Sequence, residues 1–345
     1  MSIASTQPTP HDTGEFSDLS IAVVVPCLNE EVAIRTVVED FRRVLPGADI
    51  YVYDNNSTDG TSAAAGEAGA IVRCEPEPGK GNVVRRMFSD IDADIYVLVD
   101  GDATYPADAA PELIRRLLDE QLDMVCGARQ PQREEAYRPG HKFGNFMITF
   151  LVGLMFGRRF TDILTGYRVF SRRFVKSFPA LSKGFEIETE ITVHALEMRL
   201  PSVEVDIPYF ERPEGSSSKL HTVKHGISIL KTILILIKEE RPLEFFAILC
   251  AIFELASLIL AWPVVAEYLE TGLVPRFPTA ILATGLSLLG FMSLACGLIL
   301  DTVTHSRQEI KRLNYLALPR LLGGAARSSV GGGGTSRGTG PGAGP

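Results

Sequence analysis

Two aspartates separated by one glycine, Asp100 and Asp102, follow an apolar run that begins at Ile95. A buried strand of a parallel sheet reads as a continuous apolar run, and it delivers the side chains that follow it to the ligand-binding edge of the sheet. Carboxylates placed there suit a hard divalent cation such as Mg²⁺ or Mn²⁺. The spacing therefore predicts a metal site at Asp100 and Asp102.

Two other strand-like runs end in polar loops in the same way. The apolar run at 21–25 is expected to stop at Pro26 before the loop CLNEE, and the run at 50–53 closes on Asp54 in DNNSTDGT. Helical periodicity at 32–45 lies between these two runs, and such alternation predicts a mostly parallel sheet covered on both faces. Because open α/β sheets bind ligands beyond the carboxyl ends of their strands, we expect the three loops to converge on one crevice.

Composition excludes several other classes of protein. The formal net charge of −8 argues against a nucleic-acid binder, because neutralising phosphates requires a basic face. The five cysteines are scattered without CxxC spacing, so neither a disulfide framework nor a zinc cluster is indicated. Residues 1–20 lack the apolar core of a secretory signal, so we expect the first domain to stay in the cytosol.

Two apolar stretches near the end of the chain, 243–265 and 279–300, are long enough to cross the roughly 30 Å hydrocarbon core of a membrane. Lysines and arginines flank the pair on its outer sides, whereas the linker between the stretches is mainly acidic. This asymmetry predicts that both termini and the first domain are cytosolic. Glu254 lies inside the first stretch. Contact with a lipid phosphate and a seam between helices both remain open for it, and we favour packing.

The segment just before these stretches is amphipathic. Between 221 and 238 the apolar residues share one helical face, and Lys224, Lys231 and Lys238 lie on the other. Such a helix is typical of one that lies in the membrane interface with its lysines toward anionic headgroups. The end of the chain after Arg327 is too poor in apolar residues to fold.

The loops at the strand ends resemble those of family 2 glycosyltransferases of the GT-A fold, which transfer sugars from nucleotide-sugars with inversion. The resemblance is carried by PCLNE at 26–30, DNNSTDG at 54–60, GKG at 79–81 and the DxD at 100–102. It implies a nucleotide-sugar site lined by Pro26, Asn29, Glu30, Asp54, Lys80, Asp100 and Gly101, with Mg²⁺ or Mn²⁺ held by Asp100 and Asp102. For Asp54, Asp59 and Asp102 taken alone, turn chemistry or helix capping stays open as the alternative.

Later segments are similar to the polyprenyl-phosphate branch of that family, which includes dolichol-phosphate mannose synthases. DILTGYR at 162–168 resembles its DxxSGFR signature, and RPEGSSSKL at 212–220 resembles its basic RxxGxSK loop. The likeness implies Asp162 as the residue nearest the reacting centre, as base or positioner, with Glu188 in FEIETE as a lesser candidate. It also implies Arg129 and Arg168 as further catalytic residues. Phosphate contacts are implied for Arg129, Arg168, Arg212, Lys219 and Ser218, or Ser217 in its place.

The resemblance implies an α/β domain of the GT-A type, with a Rossmann-like, mostly parallel sheet, followed by an interfacial amphipathic helix and two transmembrane helices. The expected bounds are a disordered lead at 1–19, the catalytic domain at 20–220, the amphipathic helix at 221–242, the two spans within 243–300 and a cytosolic tail at 301–345. The implied reaction is inverting, metal-dependent transfer of a hexosyl-type sugar to undecaprenyl or dolichyl phosphate at the cytosolic face of the inner or plasma membrane. Assembly of several copies stays open.

Three rival functions are less favoured. A processive polysaccharide synthase would share the domain and the membrane helices, but it carries a QxxRW motif, and Trp262 here lies inside a predicted span. A non-catalytic nucleotide-binding membrane protein would have lost the acidic and basic motifs that this chain retains. A nicotinamide-dependent dehydrogenase needs GxGxxG after its first strand, where this chain has PCLNEE.

Overall fold

The computed structural model describes residues 16–131, 149–150, 152–153, 157, 160–184, 186–213, 235 and 238–319. The chain divides into two units, residues 1–219 with 315–345, and residues 220–314. Most of the expected lead and of the expected amphipathic helix, and the end of the expected tail, lie outside the described residues.

The strands described in the first unit form one sheet of seven in the order β3-β2-β1-β4-β6-β5-β7. They are β1 (Ile21–Cys27), β2 (Asp49–Asp54), β3 (Ile71–Cys74), β4 (Ile95–Leu98), β5 (Met124–Pro131), β6 (Arg168–Ser171) and β7 (Ser202–Tyr209). β6 runs antiparallel to both of its neighbours, β4 and β5, and the other neighbouring pairs are parallel. The predicted, mostly parallel sheet is therefore confirmed, with one reversed strand.

Helices pack against this sheet. They are α1 (Glu31–Val44), α2 (Thr61–Glu67), α3 (Lys80–Asp90), α4 (Ala110–Asp119), α5 (Arg172–Ser177) and α6 (Ile187–Glu197), with a short 3-10 turn at Ala107–Ala109. The predicted helix at 32–45 is thus confirmed within a residue. It buries Ile34, Val37 and Phe41 in the same cluster as Val23 and Val97 of the sheet. This apolar face anchors the helix that follows the first crevice loop.

The first strand does not stop at Pro26, as the sequence predicted. Pro26 pairs with Tyr53, and the strand continues to Cys27. β4 ends at Leu98, which pairs with Val24. At Pro26, two residues further along the chain, β1 is paired with β2 alone. The missing N–H of Pro26 faces the side that β4 has already left, where proline removes no ladder hydrogen bond.

The second unit contains α7 (Pro242–Thr271) and all but the last two residues of α8 (Phe277–Leu316). Both helices are long and apolar enough to cross a membrane. They contain the two predicted spans. The buried residues of α8 recur every seventh position, and they are Ala283, Gly290, Gly297 and Thr304. This period is typical of two helices that share a narrow, left-handed seam.

Polar groups of the two helices meet in that seam. Ser257 Oγ donates to the carbonyl of Ala283 at 2.8 Å, and Ser287 Oγ lies 3.0 Å from each carboxylate oxygen of Glu254. A Cβ added at Gly290 would lie 2.8 Å from Glu254 Oε1. Glu254 therefore packs in the helix seam, as favoured from the sequence.

We expect Gly290→Leu to lower the melting temperature of the full-length protein in detergent, because the new side chain must displace Glu254 from the seam. Overpacking of this kind costs about 1–3 kcal/mol. Gly285→Leu is the matched control, since a Cβ there meets no atom within 4 Å and gains the same helix propensity. Equal melting temperatures for the two variants would contradict the seam.

Candidate active site

The loops that follow β1 and β2 are hydrogen-bonded to each other. The Asn29 amide donates to Ser57 Oγ at 2.8 Å, and Asn29 Oδ1 accepts from the Thr58 amide at 2.7 Å. The Glu30 amide donates to Thr61 Oγ1 at 2.9 Å. Because β4 lies on the other side of β1, the DxD turn borders the same edge. The predicted convergence of the three loops is confirmed.

Asp54 ends β2 and is buried. Its Oδ1 accepts from the Ser57 amide at 3.0 Å, and its Oδ2 accepts from Ser62 Oγ at 2.6 Å. The turn chemistry that the sequence left open therefore accounts for these contacts. A carboxylate has about four acceptor sites, so Asp54 retains capacity for a ligand hydroxyl or amide.

Asn55 is a site residue that the sequence analysis missed. Its Nδ2 donates to the carbonyls of Glu75 and Glu77, each at 2.8 Å, and its Oδ1 accepts from the Gly79 amide at 2.7 Å. One buried amide therefore connects the second crevice loop to the segment that leads into α3. Its position next to Asp54 in DNNSTDG was the available signal.

The second aspartate of the DxD is held from two sides. Asp102 is buried; its Oδ1 accepts from the amide and hydroxyl of Thr104 at 3.1 and 2.6 Å. Its Oδ2 pairs with Arg212 Nη2 at 2.6 Å, and Arg212 Nη1 lies 3.5 Å from Glu30 Oε1. Arg212 thus bridges the first crevice loop and the DxD turn.

The first aspartate of the DxD shares a lysine with Glu188. Lys80 Nζ lies 2.6 Å from Asp100 Oδ1 and 2.5 Å from Glu188 Oε1. Burial by itself lowers the pKa of the Lys80 ammonium, but the attraction of Asp100 and Glu188 is larger in sum and raises that pKa. Burial raises the pKa of the Glu188 carboxyl, and Lys80 opposes this shift. Glu188 Oε2 is buried without a hydrogen-bond partner among the described residues.

The glycines of GKG serve backbone packing in this structure. The Gly81 amide donates to the carbonyls of Lys183 and Gly184 at 3.0 and 3.1 Å, and a Cβ at Gly81 would lie 2.1 Å from the carbonyl oxygen of Ser182. Gly79 has a φ of 126°, which side chains disfavour. The segment 182–184 therefore packs against the start of α3. Lys80, which was expected to line the nucleotide-sugar site, contacts the carboxylates of Asp100 and Glu188.

Asp162 and Arg129 form a close ion pair. Arg129 Nε and Nη2 donate to the two carboxylate oxygens of Asp162 at 2.7 and 2.8 Å, and its amide donates at 3.1 Å. Glu204 of β7 accepts from the amides of Thr161 and Asp162 at 2.7 and 2.8 Å. Glu204, which the sequence did not reveal, therefore fixes the start of the 162–168 loop.

Arg168, for which the sequence implied a catalytic and phosphate-binding role, has acceptors within the protein for its donors. Its side chain is wholly buried, and Nη2 donates to the carbonyls of Ile163 and Glu188 at 2.5 and 3.1 Å. Nη1 donates to Thr192 Oγ1 at 2.8 Å, and Nε donates to the Thr165 carbonyl at 3.2 Å. With its donors engaged in this way, Arg168 clamps the 162–168 loop to α6.

The remaining expected site residues are placed as follows. Pro26 is half-buried at the end of β1, and Gly101 lies so close to that strand that a Cβ would come within 2.5 Å of Cys27 Sγ. Ser218, its alternative Ser217, and Lys219 lie outside the described residues.

Residues 22–178 match the sequence profile of glycosyl transferase family 2. The chain is 31% identical over 300 residues to glycosyltransferase AglJ of Haloferax volcanii, and the matched region covers 86% of this chain and 98% of AglJ. The chain belongs to glycosyltransferase family 2. It is also 28% identical over 228 residues to a dolichyl-phosphate hexose transferase of Haloferax volcanii, covering 66% of this chain and 98% of that enzyme.

The fold of this glycosyltransferase is similar to that of glucosyl-3-phosphoglycerate synthase from Mycobacterium tuberculosis. The TM-score is 0.55 at 22% identity, over 68% of this chain and 86% of the synthase, which was solved with Mn²⁺, UDP-glucose and phosphoglyceric acid. At this identity the similarity shows the GT-A fold, and the ligands are a property of the synthase alone.

The carboxylates of this glycosyltransferase suit a divalent cation. Within the part of the chain that the structure describes, no group of three or more His, Cys, Asp or Glu side chains is arranged around a metal position. Mg²⁺ is commonly bound by one or two carboxylates together with phosphate oxygens of the substrate. Asp100 and Asp102 supply two such carboxylates on one turn, so the donor set fits a cation completed by a diphosphate.

Proposed function

We propose that this glycosyltransferase transfers a hexosyl group, with inversion, from a nucleotide-sugar to a polyprenyl phosphate such as undecaprenyl or dolichyl phosphate. The observation that supports this best is the contact between the DxD turn and the 162–168 loop. A Cβ at Gly166 would lie 2.2 Å from Asp100 Oδ2, so the backbone of that loop lies directly against a donor-side carboxylate. The loop that resembles those of polyprenyl-phosphate transferases therefore lies against the carboxylate that we assign to the donor side.

On the donor side, Asp100 and Asp102 would hold Mg²⁺ or Mn²⁺, which when bound neutralises the charge that develops on a departing nucleoside diphosphate. Asp54, Glu30, Asn29 and the Pro26 and Gly101 backbones would line the nucleotide, where carboxylates accept hydrogen bonds from ribose or base. Arg212, held between Glu30 and Asp102, adds a fixed positive charge beside the diphosphate.

On the acceptor side, the nucleophile brings its own charge. A phosphate monoester has a second pKa of about 6, so it is largely dianionic at neutral pH and needs little help from a base. Its oxygen forms the new bond to the anomeric carbon while the bond to the diphosphate breaks. Asp162 is bound bidentately by Arg129, and we therefore assign Asp162 to orienting that arginine toward the acceptor phosphate. Ser218 and Lys219 would complete the phosphate site.

The same chain carries two helices that are long and apolar enough to hold it in the bilayer, where a polyprenyl phosphate resides. We propose the domain bounds stated above, with the catalytic domain at 20–220 and both termini on the cytosolic face of the inner or plasma membrane. The dolichyl-phosphate hexose transferase among its relatives supports this acceptor class.

The test is transfer by the purified full-length protein in detergent. We expect undecaprenyl phosphate incubated with Mg²⁺ or Mn²⁺ and a panel of nucleotide-sugars to gain the mass of one hexose from one donor. Undecaprenol, which lacks the phosphate, is the matched control and should gain nothing. A product with many sugars would favour a processive synthase, and nucleotide binding without any lipid product would favour a non-catalytic protein.

A further inference from the structure

Tyr105 lies at the end of the DxD turn and is buried. Its hydroxyl accepts a hydrogen bond from the Gly166 amide at 2.9 Å, and Thr165 Oγ1 lies 3.4 Å from the same oxygen. Burial raises the pKa of Tyr105 well above its ordinary value, so the group remains a neutral phenol. A single hydroxyl therefore connects the DxD turn to the 162–168 loop.

The other hydrogen bonds described for that loop run to the opposite side. Thr165 Oγ1 donates to the Gly127 carbonyl of β5 at 2.6 Å, and Glu204 of β7 and Arg129 of β5 hold Asp162. Arg168 connects the loop to α6. These contacts fix the loop to β5, β7 and α6. The Tyr105 hydroxyl, by contrast, fixes the loop to the DxD turn.

The ring of Tyr105 is itself constrained. It makes edge contacts with Tyr167 and Tyr209, at centroid distances of 5.5 and 5.3 Å. Gly166 in turn lies against the Asp100 carboxylate so closely that it has no room for a Cβ. Movement of Gly166 away from Tyr105 would therefore change the position of the loop relative to Asp100.

We propose that Tyr105 is a positioning residue that sets the separation between the DxD carboxylates and the 162–168 loop, and so aligns the acceptor phosphate with the donor sugar. This inference rests on the proposed function. It assigns Tyr105 no contact with the substrates. Its effect passes through the Gly166 amide.

The test compares two reactions of the full-length enzyme that share the donor site. Transfer to undecaprenyl phosphate requires both the donor site at the DxD turn and the 162–168 loop. Slow hydrolysis of the nucleotide-sugar by water, measured without lipid, requires the donor site alone. We expect Tyr105→Phe to lower kcat for transfer by about 10- to 100-fold, because small misplacements of reacting groups have effects of that size. Hydrolysis and the KM for the donor should stay within about twofold.

Tyr167→Phe is the matched control. Its ring is packed beside that of Tyr105, but its hydroxyl is buried without a hydrogen-bond partner among the described residues. The same chemical change there should leave both reactions at their original rates. If Tyr105→Phe lost transfer and hydrolysis in parallel, Tyr105 would only stabilise the fold, and the proposal would be wrong. Unchanged transfer in this variant would also overturn the proposal.

Amide hydrogen exchange supplies a readout that does not depend on turnover. In Tyr105→Phe the peptides covering 99–106 and 161–168 should exchange faster, because the Gly166 amide has lost its acceptor, and in Tyr167→Phe they should not. Unchanged exchange in Tyr105→Phe would also overturn the proposal. Absence of lipid transfer in the unmodified protein, by contrast, would count against the proposed function. The comparison of amide exchange between the two variants could still be made.

Discussion

Asp102→Asn is expected to lower sugar transfer by at least about a thousandfold while the protein still inserts into membranes. Stabilising charge through a bound cation is worth several kcal/mol, and each 1.4 kcal/mol is about tenfold in rate. Asparagine keeps an oxygen for the amide and hydroxyl of Thr104, so the turn is preserved. What is lost is the negative charge at Oδ2, which faces Arg212. Transfer rates and Mn²⁺ affinity would be measured on the same preparation.

The matched control is Asp108→Asn, the same change in the segment that follows the DxD turn. Asp108 is exposed and pairs with Arg43 at 2.9 Å, a surface ion pair of a kind that contributes about 0–1 kcal/mol. Transfer should be unaffected in that variant. Full transfer by Asp102→Asn in the presence of a metal chelator would remove Asp102 from the metal site.

The strands that form the crevice were predictable because of how parallel sheets are built. β1, β2 and β4 lie next to one another. β1 and β4 are buried on both faces and therefore read as short, β-branched apolar runs, and β2 is a mainly buried run of isoleucine, valine and tyrosines. The polar residues after those runs must then meet at one edge. The convergence of PCLNE, DNNSTDG and DGD follows from these local patterns.

β6 and β7 were missed for different reasons. β6 begins with Arg168, a charged residue that no strand pattern favours, and it forms because β4 and β5 pair with it from both sides. β7 did carry a signal. Val203, Val205 and Ile207 alternate with polar residues through SVEVDIPY, which is the period of a half-buried strand.

Side-chain partners far apart in the sequence were beyond local reading. Lys80 and Glu188 are 108 positions apart, and GKG shows neither that contact nor the 182–184 backbone packed against its glycines. In the same way, DILTGYR shows that an arginine is present at 168 but not that backbone carbonyls surround it. Sequence patterns located these residues, and tertiary packing decided what each one contacts.

Lys80→Met is expected to be the most destabilising single change in the crevice at neutral pH. The side chains of Lys80 and Glu188 are 11% and 7% exposed, so the variant leaves a nearly buried carboxylate without its cation and beside Asp100. Breaking such a buried pair costs about 3–5 kcal/mol. Transfer should fall as well, because Asp100 loses the group that holds it.

The pH dependence gives this prediction its sign. In the unmodified protein the pKa of Lys80 is raised, so its stabilising contribution is fully present below the ordinary lysine pKa of about 10.4 and declines only at more alkaline pH. In Lys80→Met, burial and Asp100 raise the pKa of Glu188 without opposition from a cation. Protonation of Glu188 then relieves the repulsion, so the loss of melting temperature should be larger at pH 8 than at pH 5.5.

Two further variants separate this charge effect from loss of the side chain. Lys80→Met combined with Glu188→Gln should recover most of the melting temperature at pH 8, because the double variant has no buried, unpaired carboxylate. Lys183→Met, the same change at an exposed lysine nearby, should show no pH-dependent loss. An equal loss at both pH values, or no recovery in the double variant, would show that Lys80 stabilises the crevice by packing and not by neutralising Asp100 and Glu188.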